Sequence, residues 1–201
     1  MDIYHFVAIP LILFFSVIIH ECAHGWVAYR LGDPTAKLAG RLTLNPLPHI
    51  DLIGTIAVPA LLIWIKSPII LGWAKPVPVN FAALHHPKRD MIWVGLAGPL
   101  VNIALAVIAS VLLRTNLPGY ILPLLEVCIL INLILAIFNL MPIPPLDGSR
   151  LVMGILPYPL ARAYARLERY GMVIIFLLLY FRVLDHILWP LVRIFGQLLG
   201  I

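Results

Sequence analysis

Long apolar runs separated by short polar, proline- and glycine-rich breaks set the plan of this chain. A bilayer core takes about 20 apolar residues per helical crossing. Four runs approach that length, at about Ile3–Arg30, Met91–Leu113, Ile121–Leu140 and Gly171–Trp189. Asn116-Leu117-Pro118-Gly119 forms a turn between the second and third. Trp189-Pro190 ends the fourth, and residues 191–201 read as an amphipathic interfacial tail.

Between the first and second runs the pattern changes. The apolar core of Asp51–Gly72, Ile56–Ile65, is short and interrupted by Pro59, with Lys66, Pro68 and Gly72 following. Such a stretch is expected to be re-entrant or interfacial rather than spanning. Before it, Gly40–Pro46 alternates apolar and polar residues and predicts a short strand. After it, Lys75–Asn80 reads as extended, and its prolines confine it to a sheet edge. The expected fold is an all-α polytopic membrane protein: about four spanning helices plus a re-entrant, short β segment between the first and second.

Composition narrows the class. The chain has 201 residues, 62% hydrophobic and 11% charged, where soluble domains are about 45–50% apolar and about 25% charged. A single membrane domain over 1–201 is expected, with no room for a second, soluble one. The first run has no basic flank before it, so residues 1–30 are expected in the mature protein. The net charge of +5 is scattered through loops and does not form a nucleic-acid surface. Cys22 and Cys128 both fall in apolar segments, where cysteine behaves as a small hydrophobe, and no disulfide is expected.

The candidate chemistry lies inside the first run, at His20-Glu21-Cys22-Ala23-His24. Ionisable groups at membrane depth are unfavourable and call for a function. Histidines four apart share a helix face and can grip one metal ion, and the intervening glutamate can take a proton from attacking water. Catalytic zinc takes three protein ligands. Asp147, in the proline-broken stretch after the third run, is the best third candidate; Glu126 is its rival, and a helix-capping role is the plain alternative.

For Asp147 to meet His20 and His24, the ends of the first and third runs must share one side of the membrane. The segment 51–72 must then return to the side it left. Eleven basic residues (Arg30, Lys37, Arg41, Lys66, Lys75, Lys88, Arg89, Arg150, Arg162, Arg166 and Arg169) fall on that side. Three (Arg114, Arg182 and Arg193) fall at or near the other. The positive-inside bias makes the first side cytoplasmic and puts both termini outside.

Three motifs in order resemble the site-2 proteases, zinc-dependent intramembrane proteases: the HExxH above, Gly98-Pro99-Leu100-Val101-Asn102, and Asn139-Leu140-Met141-Pro142-Ile143-Pro144-Pro145-Leu146-Asp147-Gly148. Gly72–Asn80 is similar to the compact bacterial and archaeal members. The resemblance implies one zinc on His20, His24 and Asp147, with Glu21 as general base. It gives Asn139 a role in steadying the substrate or the oxyanion, and Asn102 a positioning role. Interhelical hydrogen bonding is the plain alternative for both asparagines. The implied partners are a transmembrane protein substrate and the lipid bilayer, with no nucleic acid; association between copies is left open. The implied setting is a prokaryotic plasma membrane. The length leaves no place for the PDZ or CBS domains of larger members.

The expected reaction is hydrolysis of a peptide bond in or near a transmembrane segment, with Glu21 moving the proton. An unwound substrate segment is expected to pair with the edge around Val77 and Val79. The competing class is a membrane metal or proton transporter, which needs polar groups along a path from both faces. Here they gather at one depth.

Overall fold

The computed structural model describes residues 3–65 and 74–201, with side chains from residue 7 onward. Among the described residues, three helices are long and apolar enough to cross a membrane: α1 (Ile3–Arg30), α4 (Pro87–Leu113) and α5 (Leu122–Asn139). Between α1 and α4 lie α2 (Thr35–Leu38) and α3 (Val58–Trp64). After α5 come α6 (Gly148–Ile155), α7 (Tyr158–Ala165), α8 (Gly171–Tyr180) and α9 (Asp185–Leu199).

The three long helices pack as one bundle. Ser16, Ile18, His20, His24 and Ala28 form the buried stripe of α1, most of them four residues apart. The other faces stay apolar and exposed: Leu11, Phe15, Ile108 and Val111 are each 45–60% accessible. Apolar side chains facing outward suit hydrocarbon, where exposure carries no hydrophobic penalty. One core cluster joins Ala106 and Ala109 of α4 to Ile129 and Leu133 of α5. Another joins Met141 and Leu146 to Ile175 of α8 and to Leu184, Leu188 and Val192 at and within α9.

The fourth predicted span is not one helix. Gly171–Trp189 breaks after Tyr180, where Arg182 takes a positive φ of 56°, and the helix pair bends by 77°. Nor are residues 191–199 a separate tail. They are the second half of α9, which packs along α5, and the Leu199 carbonyl accepts the Ser110 hydroxyl at 2.5 Å. The amphipathic pattern of residues 191–201 marks a helix facing the bundle on one side.

The predicted strand at Gly40–Pro46 is also corrected, because the described residues contain no strand. Its backbone instead serves side chains: the Thr43 carbonyl accepts from Cys22 Sγ at 3.0 Å and from His49 Nε2 at 2.9 Å. Lys75–Asn80 forms neither helix nor strand, and its backbone is held by side chains and by His49. Arg41 donates to the carbonyls of Lys75 and Pro76, at 2.5 and 3.3 Å. Glu21 takes the Val77 N–H at 2.7 Å and Asp33 the Asn80 N–H at 2.6 Å.

A π-helical turn at Leu52–Ala57 runs into α3, and Asp51 caps it by accepting from the N–H groups of Ile53 and Gly54. Together they make about 20 Å of helix, short of a bilayer core of about 30 Å. Lys66, Pro68 and Gly72, on which part of the re-entrant expectation rests, lie outside the described residues. The ends of the excursion nonetheless meet: Lys75 N–H donates to the His49 carbonyl at 2.9 Å.

Candidate metal centre

The bundle brings α1, α4 and the end of α5 together around His20 and His24. Both histidines are more than nine-tenths buried. A Cβ at Gly98 would lie less than 3.0 Å from atoms of both imidazole rings, so glycine is what lets α4 press this close. Gly95, one turn earlier, admits the Asp147 carbonyl and Arg150 in the same way.

Each imidazole spends one nitrogen on orientation. His20 Nδ1 bonds Asn102 Oδ1 at 2.5 Å, and His24 Nδ1 bonds the Val94 carbonyl at 2.6 Å. A carbonyl only accepts, so His24 Nδ1 carries its hydrogen. The two Nε2 atoms turn inward, 3.0 Å apart, and Asp147 Oδ2 lies 3.1 Å from one and 3.2 Å from the other.

That triangle tests the fit to zinc. Tetrahedral zinc with bonds of about 2.0–2.1 Å holds its donors about 3.3 Å apart. Two imidazole nitrogens and a carboxylate oxygen are a common zinc donor set. With His24 Nδ1 donating outward and His20 Nδ1 turned to Asn102, the two Nε2 atoms and the carboxylate oxygen face one another, an arrangement that a cation stabilises. Among the described residues, this is the group of three histidine, cysteine or acidic side chains placed to hold a metal ion.

The other predicted residues fall as follows. Glu21 is half-buried, and its Oε2 accepts the Val77 N–H. Asn102 is fully buried and bonds His20 directly. Asn139 is not brought onto the cluster by any hydrogen bond; its amide donates to the Leu135 carbonyl of its own helix at 3.0 Å. Glu126 lies exposed at the start of α5, and Cys22 turns to the Thr43 carbonyl, so neither joins the cluster. Both cysteines are free thiols, as expected.

Sequence reasoning missed two buried residues. Asn132 accepts from Asn102 Nδ2 at 2.7 Å and donates to Ser16 Oγ at 3.0 Å. Ser16 lies one helical turn before His20, a spacing that could have been read as the same face. Asn132 stands out in the sequence only as a polar residue inside the apolar run of α5.

The sequence profile of Peptidase family M50 matches residues 117–181, which take in Asn132, Asn139 and Asp147. The protein YwhC of Bacillus subtilis is 36% identical over 94% of this chain and 86% of its own length. The chain belongs to peptidase family M50. Rip2 of Mycolicibacterium smegmatis is 29% identical over 92% of the chain and 71% of its own length. Zinc metalloprotease MJ0392 of Methanocaldococcus jannaschii is 30% identical over 73% of the chain and 33% of its own length. YwhC and Rip2 are also named as zinc metalloproteases. No solved structure matches this M50 chain.

Proposed function

We propose that His20, His24 and Asp147 hold the single zinc of this M50 protein, and that Glu21 is its general base. The chain is a multi-pass membrane protein, and its activity is zinc-dependent proteolysis within the membrane. The observation that carries the residue assignment is the convergence of three acceptor atoms from α1 and from the residue preceding α6.

When bound, zinc supplies a Lewis acid that polarises the scissile carbonyl and makes water acidic enough to attack near neutral pH. The protein supplies the rest. Asn102 and the Val94 carbonyl hold the two imidazoles with Nε2 inward. The Val77 N–H fixes the orientation of the Glu21 carboxylate, which takes the proton from attacking water and returns it to the leaving amine. Asn139 can donate to the developing oxyanion once its amide leaves the Leu135 carbonyl. The substrate is a transmembrane helix, whose peptide groups are closed in its own hydrogen bonds; it must unwind locally before cleavage.

The site faces the cytoplasm in this reading. The His49–Lys75 bond supports a segment 50–74 that returns to the side it left. The eleven basic residues expected on that side, joined by Arg182 next to the Leu184–Met141 contact, support the same orientation. The relatives named above come from bacteria and an archaeon, in keeping with a prokaryotic plasma membrane. Neither the site nor the relatives favour a transporter.

Metal analysis of the purified protein tests the assignment. About one zinc per chain is expected, falling sharply in His20→Ala, His24→Ala and Asp147→Ala. Full zinc retention in Asp147→Ala would exclude it as a ligand.

A further inference from the structure

We propose that Asn132 is a positioning residue for the metal site: acting through Asn102, it decides which nitrogen of His20 carries the proton. This rests on the assignment of His20 as a zinc ligand.

The direction of each hydrogen bond follows from one fixed group. The Cys128 carbonyl can only accept. It lies 2.9 Å from the side chain of Asn132, so the atom facing it is the amide nitrogen. The second hydrogen of that nitrogen reaches Ser16 Oγ at 3.0 Å. Asn132 Oδ1 therefore faces Asn102 and must accept, and Asn102 presents Nδ2 to it at 2.7 Å. Asn102 Oδ1 is then left for His20, where it too must accept. His20 Nδ1 becomes the protonated nitrogen, and Nε2 keeps its lone pair, 3.1 Å from Asp147 Oδ2 and 3.0 Å from His24 Nε2.

The relay crosses three helices, from Asn132 on α5 through Asn102 on α4 to His20 on α1, and Ser16 returns it to α1. Asn102 and Asn132 have no accessible surface and Ser16 has 4%, so water is not at hand to replace a missing partner. Remove the Asn132 side-chain oxygen and Asn102 loses the group that holds its amide one way round. A flipped Asn102 would donate to His20 Nδ1 and select the tautomer with hydrogen on Nε2, directed at the metal position. Asn132 thus acts on zinc binding without touching the ligands.

The experiment is a double-mutant cycle on the full chain in detergent, read as zinc affinity by chelator competition and as the visible spectrum of the cobalt-substituted protein. Asn132→Leu replaces the amide by an apolar group of similar size. It should weaken zinc binding about ten-fold or more, as losing the partner of a ligating histidine does, and should shift the cobalt spectrum. In an Asn102→Asp background the same substitution should change zinc affinity less than about threefold. An ionised carboxylate can only accept, so it holds His20 Nδ1–H without help from residue 132.

Equal weakening in both backgrounds would mean that Asn132 only packs the bundle, and the proposal would be overturned. So would no weakening in either. If Asn132→Leu does not fold, Asn132→Asp serves. It can still accept from Asn102 and should keep zinc affinity within about threefold, whereas a ten-fold loss overturns the proposal. Unchanged zinc affinity in His20→Ala would overturn the site assignment instead, a separate failure.

Discussion

A histidine in this site has two nitrogens and two tasks, and the surrounding residues divide them. His24 donates through Nδ1 to a backbone carbonyl and His20 through Nδ1 to Asn102, which leaves both Nε2 atoms free to take the proposed metal. Glu21 is separate from this set. Its substitution by glutamine removes the base and leaves the ligands in place, so Glu21→Gln should keep about one zinc while cleavage of a single-span substrate falls about 10²–10⁴-fold. Normal cleavage by that variant would show that another group moves the proton. Gly98 is a steric residue. A methyl there collides with both imidazoles, an overpacking of about 1–3 kcal/mol. Gly98→Ala should therefore bind zinc about ten-fold more weakly or worse, with zinc titration as the check; unchanged affinity would mean that α4 can draw back freely. The candidate ligands and the candidate base were legible in the sequence, because their spacing and their setting in apolar runs carry the signal. The Ser16–Asn132–Asn102 network was not, since its bonds join residues 116 and 30 positions apart.

At the scale of elements, Lys75–Asn80 shows how side chains can replace a sheet partner. The sequence pattern suggested an edge strand; the structure ties the segment to Arg41, Glu21 and Asp33. Asp33 is the anchor with a pH dependence. Burial pushes its carboxyl pKa up, but the hydrogen bonds from Thr35 and from the Asn80 N–H outweigh this and hold it below the usual value. A group whose folded pKa is depressed stabilises the folded state above its unfolded pKa of about 3.9. That contribution is lost as pH falls through the lower, folded value. The Asn80 amide resonance should therefore keep its hydrogen-bonded position at neutral pH and move only below about pH 4, and Asp33→Ala should abolish that acid-induced step. Movement at pH 5–6 would contradict the anchor. The broken fourth span teaches a related lesson. The run 171–189 is apolar enough to cross, yet the chain bends by 77° between α8 and α9, so that Leu184 and Leu188 join the core beneath Met141 and Leu146.

For the whole molecule, the proposed metal site constrains the path of the chain. His20 and His24 lie near the end of α1 and Asp147 lies past the end of α5, so those ends share one face. The chain between α1 and α4 must then cross an even number of times. Single cysteines placed at Lys37, Lys88 or Arg162, in a chain without Cys22 and Cys128, should react only with reagent on the cytoplasmic side. One at Asn116 should react only from outside. Labelling of Lys88 from outside and Lys37 from inside would mean that the segment between them spans.

The sequence by itself determined the membrane class, the main apolar runs, the zinc-protease motif and the ligand candidates. Each of these depends on local spacing or on summed hydrophobicity, which one stretch of chain carries alone. Only the tertiary structure decided that Gly40–Pro46 forms no strand, that the last apolar run bends and packs along α5, and that Asn132 reaches His20 through Asn102. Those outcomes turn on where buried polar groups find partners. Away from water such a group must be satisfied by whatever the fold brings beside it, and its partner can lie anywhere along the chain.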